Sequence, residues 1–188
     1  MGRRWIPALV MTTVFGGVTP VRADSPVPQI VLDVKNYVGV RPDDLARAKG
    51  EVERIFADAG LEVAWDATGQ GRRVEVWLLE ITRDTQAESD GCALGLAILP
   101  KSRTYVFVNR IIAATRTRPV AVAIALGQVI AHEVGHVLLP PGPHGAYGLM
   151  RAALDFDVKH PPRFTREEAL ALRAAATRPV AAITGRKF

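Results

Sequence analysis

The stretch Pro119–Leu139, PVAVAIALGQVIAHEVGHVLL, is apolar except at Gln128, His132, Glu133 and His136. These four residues leave uninterrupted apolar portions that are too short to cross a bilayer, which takes about 20 apolar residues. The stretch is therefore predicted to be a helix buried in the core of a globular domain. A proline-rich turn follows it directly, and prolines cannot continue a helix.

The motif His132-Glu133-Val134-Gly135-His136 lies within this predicted helix. Helical residues four apart lie on one face, about 5–6 Å from each other at Cβ. A tetrahedral metal ion can bridge two imidazoles at that separation. Glu133 directly follows His132 in the helix, and from there its carboxylate can reach a metal-activated water without being a ligand. The spacing thus predicts two zinc ligands and one general base.

A third ligand is predicted at His144, eight residues after His136 and just beyond the turn Pro140–Pro143. Three protein ligands with one position left for water are the arrangement of catalytic zinc. Several downstream residues remain alternatives, since some zinc enzymes take a glutamate from a following helix: Asp155, Asp157, His160, Glu167 and Glu168. Glu168 is the partner of Thr165 in a predicted helix-capping box, which favours His144.

The remaining pattern predicts one domain of strands and helices, without repeats or linkers. The β-rich segments are Ile30–Val34, Leu61–Trp65, Val74–Ile81, Ala93–Leu99 and Tyr105–Ile111. An amphipathic helix is predicted from Pro42 to about Ala59, with Gly60 as its stop, and a last helix from Thr165 to about Thr177.

The N-terminus has the layout of a secretory signal peptide. Arg3-Arg4 precedes the apolar stretch Trp5–Val18, and small residues surround a plausible cleavage site after Ala23. We therefore expect a signal peptide at residues 1–23, a catalytic domain at 24–188, and a secreted or periplasmic location. No membrane span is expected in the mature chain.

The charge of +5, taken for the whole chain, would suggest a polyanion partner. Cleavage after Ala23 removes three arginines and no acid, which leaves a mature chain of 165 residues with a charge of +2. Its basic residues are scattered, so no nucleic-acid partner is expected. The single cysteine, Cys92, excludes an intrachain disulfide and all-cysteine zinc sites, and is interpreted as a small buried residue.

The three histidines, followed by Gly148-Leu149-Met150, resemble the metzincin clan of zinc metalloproteases, although the third histidine comes two residues later than in the clan's pattern. The resemblance implies an α+β single domain: a twisted, mostly parallel sheet of about five strands with an antiparallel edge strand, an active-site helix and a C-terminal helix. It also implies that Met150 forms the methionine turn beneath the zinc. Ala93–Leu99 would be the edge strand that pairs with an extended substrate.

Together, these observations predict a secreted zinc metalloendopeptidase acting on a peptide or protein substrate, with Zn²⁺ as cofactor and Glu133 as general base. The alternative is a secreted zinc-binding module of the same fold that recognises a protein or envelope partner without turnover. Tyr147 could hydrogen-bond an oxyanion, although a structural role is the favoured interpretation.

Overall fold

A computed structural model describes residues 27–66, 71–81, 93–118, 120–156 and 158–178. The predicted signal peptide, Cys92 and Asp157 lie outside these residues. The elements in chain order are β1 (Gln29–Asn36), α1 (Pro42–Asp58), β2 (Glu62–Trp65), β3 (Arg72–Leu79), β4 (Gly95–Ile98), β5 (Arg103–Phe107), α2 (Val108–Thr115), α3 (Val122–Leu138) and α4 (Arg166–Ala176). A short 3-10 turn, Leu99–Lys101, connects β4 to β5.

The five strands form one sheet in the order β2-β1-β3-β5-β4. All neighbouring pairs are parallel except β4 with β5, which is antiparallel and places β4 at the edge. The predicted fold class, an α+β domain whose mostly parallel sheet has an antiparallel edge strand, is confirmed.

The helices α1 and α3 cover one face of the sheet, and their apolar side chains form a single core with Ile30, Val76 and Val106. Gly127 lets α1 and α3 approach closely, because a Cβ at this position would lie 2.6 Å from the backbone oxygen of Ala48. Almost every residue of α3 is buried, as expected for a helix that is apolar all round. Among the described residues, no helix is long and apolar enough to span a membrane.

One predicted strand was wrong in its second half. Tyr105–Ile111 was expected to be extended, but the strand ends at Phe107 and Val108–Thr115 forms α2. The buried residues of α2 are Val108, Ile111 and Thr115, which is helical spacing. The β-branched composition of the segment had favoured a strand, and its tertiary packing favours the helix.

The last helix has the predicted capping box. The Thr165 hydroxyl accepts from the Glu168 amide at 3.2 Å, and the Glu168 carboxylate accepts from the Thr165 amide at 2.7 Å. Glu168 is therefore engaged at the start of α4.

Candidate metal centre

Two imidazoles project from α3 toward one point. His132 and His136 are one helical turn apart, and their Nε2 atoms lie 3.1 Å from each other. His132 is buried and His136 is half-buried. The helix ends at Leu138 because Leu139 is extended and two prolines follow it.

The loop after α3 carries His144 back to the same point. Its Nε2 lies 3.1 Å from Nε2 of His136. The Gly145 amide donates to the Met150 carbonyl at 2.8 Å, which closes the loop that presents this histidine. The possible ligand atoms of the three histidines all lie within 4.8 Å of one another. The three histidines are thus positioned to bind a metal ion.

The ring of His132 is oriented by a backbone group. Its Nδ1 lies 2.7 Å from the carbonyl oxygen of Leu149. Because a carbonyl only accepts, Nδ1 carries the proton and Nε2 presents a lone pair to the other two histidines. Metal-binding histidines commonly have such a second hydrogen bond. Nothing in the sequence indicated this contact, which joins residues 17 positions apart.

The donor set fits zinc. Three imidazole nitrogens around a tetrahedral ion with bonds of about 2.0–2.1 Å stand about 3.3 Å apart. The two separations of 3.1 Å from Nε2 of His136 are close to this value. Hydrogen bonding alone does not explain the cluster, because Nε2 of His136 faces two nitrogens and has at most one proton to donate.

Burial keeps the two helical histidines in the neutral form that binds metals. It lowers the pKa of His132, and it lowers the pKa of His136 to about 4, with the neighbouring histidines contributing in the same direction. At neutral pH, protons therefore compete little with a metal ion for these nitrogens.

The carboxylate of Glu133 faces the same cavity as the histidines but is not part of their cluster. Its residue is only 6% exposed, and burial alone raises its pKa to about 8 in the metal-free chain. An adjacent metal ion would favour the ionised form. A carboxyl group whose pKa is shifted by burial in a cavity is typical of functional sites.

Met150 lies directly beneath α3. The residue is 5% exposed, and a Cβ added at Gly135 would lie 2.6 Å from its Sδ. Gly148, with a φ of +80°, provides the left-handed turn just before it. Thus the absence of a side chain at Gly135 leaves the space that the thioether of Met150 occupies against α3.

The cavity has a volume of about 600 Å³ and is lined mainly by apolar side chains. The edge strand β4 forms one part of the lining, and residues 152–154 and 156, which follow Met150, form another. The predicted alternatives to His144 that the structure describes, Asp155, His160, Glu167 and Glu168, are not part of the histidine cluster. Tyr147 is 70% exposed and does not line the cavity.

Comparison with protein-family models and with curated proteins gives no match. Comparison with solved structures finds an archaemetzincin from Archaeoglobus fulgidus, crystallised with malonate. It is 18% identical in sequence, the match covers 76% of this chain and 99% of that one, and the TM-score is 0.47.

Proposed function

We propose that this protein is a secreted zinc-dependent peptidase that hydrolyses peptide bonds. The observation that carries the proposal is the placement of three convergent histidine nitrogens and one buried carboxylate, Glu133, in a single apolar cavity. A purely structural zinc site has four protein ligands and no general base. Here three histidines form the cluster among the described residues, and the Glu133 carboxylate lines the same cavity.

His132, His136 and His144 would hold the zinc. When bound, zinc supplies a Lewis acid that polarises a carbonyl group and makes water more acidic. Glu133 then acts as the general base: its carboxylate accepts the proton of the attacking water and delivers it to the leaving amine. Glu133 is buried in the wall of the cavity, so only a small part of its side chain contacts bulk solvent.

The edge strand β4 would bind the peptide. It pairs with β5 on one side only, and its residues Gly95, Leu96 and Ala97 line the cavity. An extended peptide can add to such an edge through backbone hydrogen bonds. That placement would bring a scissile bond between β4 and the histidines.

The test compares zinc-loaded wild type with Glu133→Ala and with Glu167→Ala, a control that removes an exposed carboxylate from α4. Peptide cleavage is followed by mass spectrometry, and zinc content is measured in each protein. We expect Glu133→Ala to retain zinc and lose hydrolysis, whereas Glu167→Ala retains both. Hydrolysis by Glu133→Ala would contradict the mechanism. Stoichiometric zinc in the wild type without cleavage of any peptide would favour the non-catalytic binding module.

Export is part of the proposal and has a separate test. Expression of the full chain in a bacterium should yield a mature protein that begins at Asp24 in the periplasm or medium. Recovery of the intact N-terminus from the cytoplasm would contradict export.

A further inference from the structure

The substrate cavity contains a cationic group that the hydrolytic mechanism does not use. Arg118 lies in the connection between α2 and α3, is exposed to solvent, and lines the same cavity as Glu133 and the histidines. Most other lining residues are apolar, among them Leu94, Leu96, Val129 and Leu154. Among the described residues, Arg118 is the only lysine or arginine in the cavity wall.

The guanidinium group of Arg118 is fixed in place by neutral groups. It donates to the backbone carbonyl of Asp155 and lies 5.7 Å from the centre of the Phe156 ring. The carboxylate of Asp155 instead pairs with Arg151 at 2.5 Å. No carboxylate among the described residues is within ion-pair distance of Arg118, so its charge is available to a ligand.

A guanidinium has five N–H donors in a planar fork that matches a carboxylate. One of these donors is used by the Asp155 carbonyl, and the rest can face an arriving anion. Because Phe156 and the carbonyl orient the group in advance, binding a carboxylate costs little additional side-chain entropy.

We propose that Arg118 is a specificity-determining residue that selects peptides carrying a carboxylate next to an apolar segment. This inference rests on the proposed function, because it assigns the substrate class of the same cavity. The carboxylate comes either from an Asp or Glu side chain or from the C-terminus of the peptide. Both sources present the same chemistry to Arg118.

The experiment measures, for each pair of peptides, the ratio of their kcat/KM values. One arm compares peptides that differ by Glu against Gln at each position in turn, all with amidated C-termini. The other arm compares one Gln peptide with a free or an amidated C-terminus. We expect wild type to prefer the carboxylate by about ten-fold in kcat/KM in one arm, since a charge-assisted hydrogen bond at an exposed site is worth roughly this factor. The arm that shows the preference identifies the source.

Arg118→Gln should abolish the preference, and Arg118→Lys should retain part of it. The matched control is Arg116→Gln, an exposed arginine of the same connection that does not line the cavity, and it should keep the wild-type ratio. The ratio is the readout because a displaced Asp155 segment would lower the rates of both peptides alike. A wild-type ratio near one in both arms, or an unchanged ratio in Arg118→Gln, would overturn the proposal.

Calorimetric binding of the same peptides to zinc-loaded Glu133→Gln separates this proposal from the proposed function. Preferential binding of the carboxylate peptide without any cleavage by wild type would support the role of Arg118 and refute the peptidase. Cleavage by wild type without any carboxylate preference would support the peptidase and refute the role of Arg118.

Discussion

Gly95 of the edge strand lies directly against the carboxylate of Glu133. A Cβ added at Gly95 would be 2.6 Å from Oε1 and 2.6 Å from Cγ of that side chain. The two residues are 38 positions apart in sequence, and the packing of α3 on the edge of the sheet brings them together. The absence of a side chain at Gly95 therefore determines where the proposed general base lies relative to the strand proposed to bind the peptide.

The substitution Gly95→Ala should lower hydrolysis without removing zinc. The added methyl group collides with the flexible end of Glu133, so the carboxylate moves and the strand stays in place. A displacement of about 1 Å in a catalytic group typically costs on the order of a hundred-fold in rate. We expect kcat/KM to fall by about ten- to a hundred-fold while the zinc content stays at one per chain.

Gly50→Ala is the control for this substitution. Gly50 is an exposed residue of α1, and a Cβ there would meet nothing within 4 Å. This change should leave hydrolysis unchanged and stabilise the helix by up to about 1 kcal/mol. Wild-type kcat/KM in Gly95→Ala would show that the contact with Glu133 does not matter for the reaction.

Gly135 and Met150 should be energetically coupled. A Cβ at Gly135 would lie 2.6 Å from Sδ of Met150 and 3.1 Å from Cε1 of Phe164. Overpacking of this kind costs about 1–3 kcal/mol of unfolding free energy. The double substitution Gly135→Ala with Met150→Ala should be less destabilising than the sum of the two single changes, because removal of the thioether makes room for the new methyl group. Urea denaturation of the four proteins measures this coupling, and strict additivity would argue against the contact.

The sequence predicted best those features that depend on local spacing. His132 and His136 share a face because of helical periodicity, and the capping box at Thr165 follows from residues three apart. The edge position of β4 followed only from the resemblance to a family. The start of α2 was missed, since Asn109 at its first turn bonds the backbone of Ile81, a residue 28 positions earlier.

The parts of the site that were not predicted are contacts between distant segments. The Leu149 carbonyl orients His132. Arg118 is held in the cavity wall by the Asp155 carbonyl and the Phe156 ring. Arg118, Asp155 and Phe156 belong to no motif, and the motifs that contain His132 and Leu149 do not indicate the contact between those two residues. Their roles arise because the chain returns beneath α3 after the proline-rich turn, and no local pattern encodes that path.

His144 should be required for metal binding, and His160 should not. His144 is part of the convergent cluster, whereas His160, the remaining histidine, is outside it. We expect His144→Ala to lose zinc during dialysis and His160→Ala to retain it. Zinc at a hundred times its dissociation constant should stabilise wild type by about 2.7 kcal/mol, which corresponds to a rise of several degrees in Tm. An equal rise in His144→Ala would show that the loop histidine is not a ligand.

The free energy of unfolding of the metal-free protein should depend on pH because the carboxyl group of Glu133 is buried. Its pKa is about 8 in the folded chain, above the ordinary value of 4.5 that applies when the chain unfolds. Between pH 4.5 and 8, the unfolded chain releases this proton and the folded chain keeps it, so the contribution of Glu133 to stability is complete below pH 4.5 and is lost as the pH rises. Glu133→Gln does not titrate, and we expect the stability of this variant relative to wild type to increase by a few kcal/mol from pH 4.5 to 8.

The lowered pKa values of His132 and His136 act in the opposite sense, destabilising the fold as the pH falls below about 6.5, but both proteins contain these residues. Urea denaturation in the presence of a chelator, performed on both proteins at several pH values, gives the difference directly. A difference that does not change with pH would mean that Glu133 is ionised as easily in the folded cavity as in water.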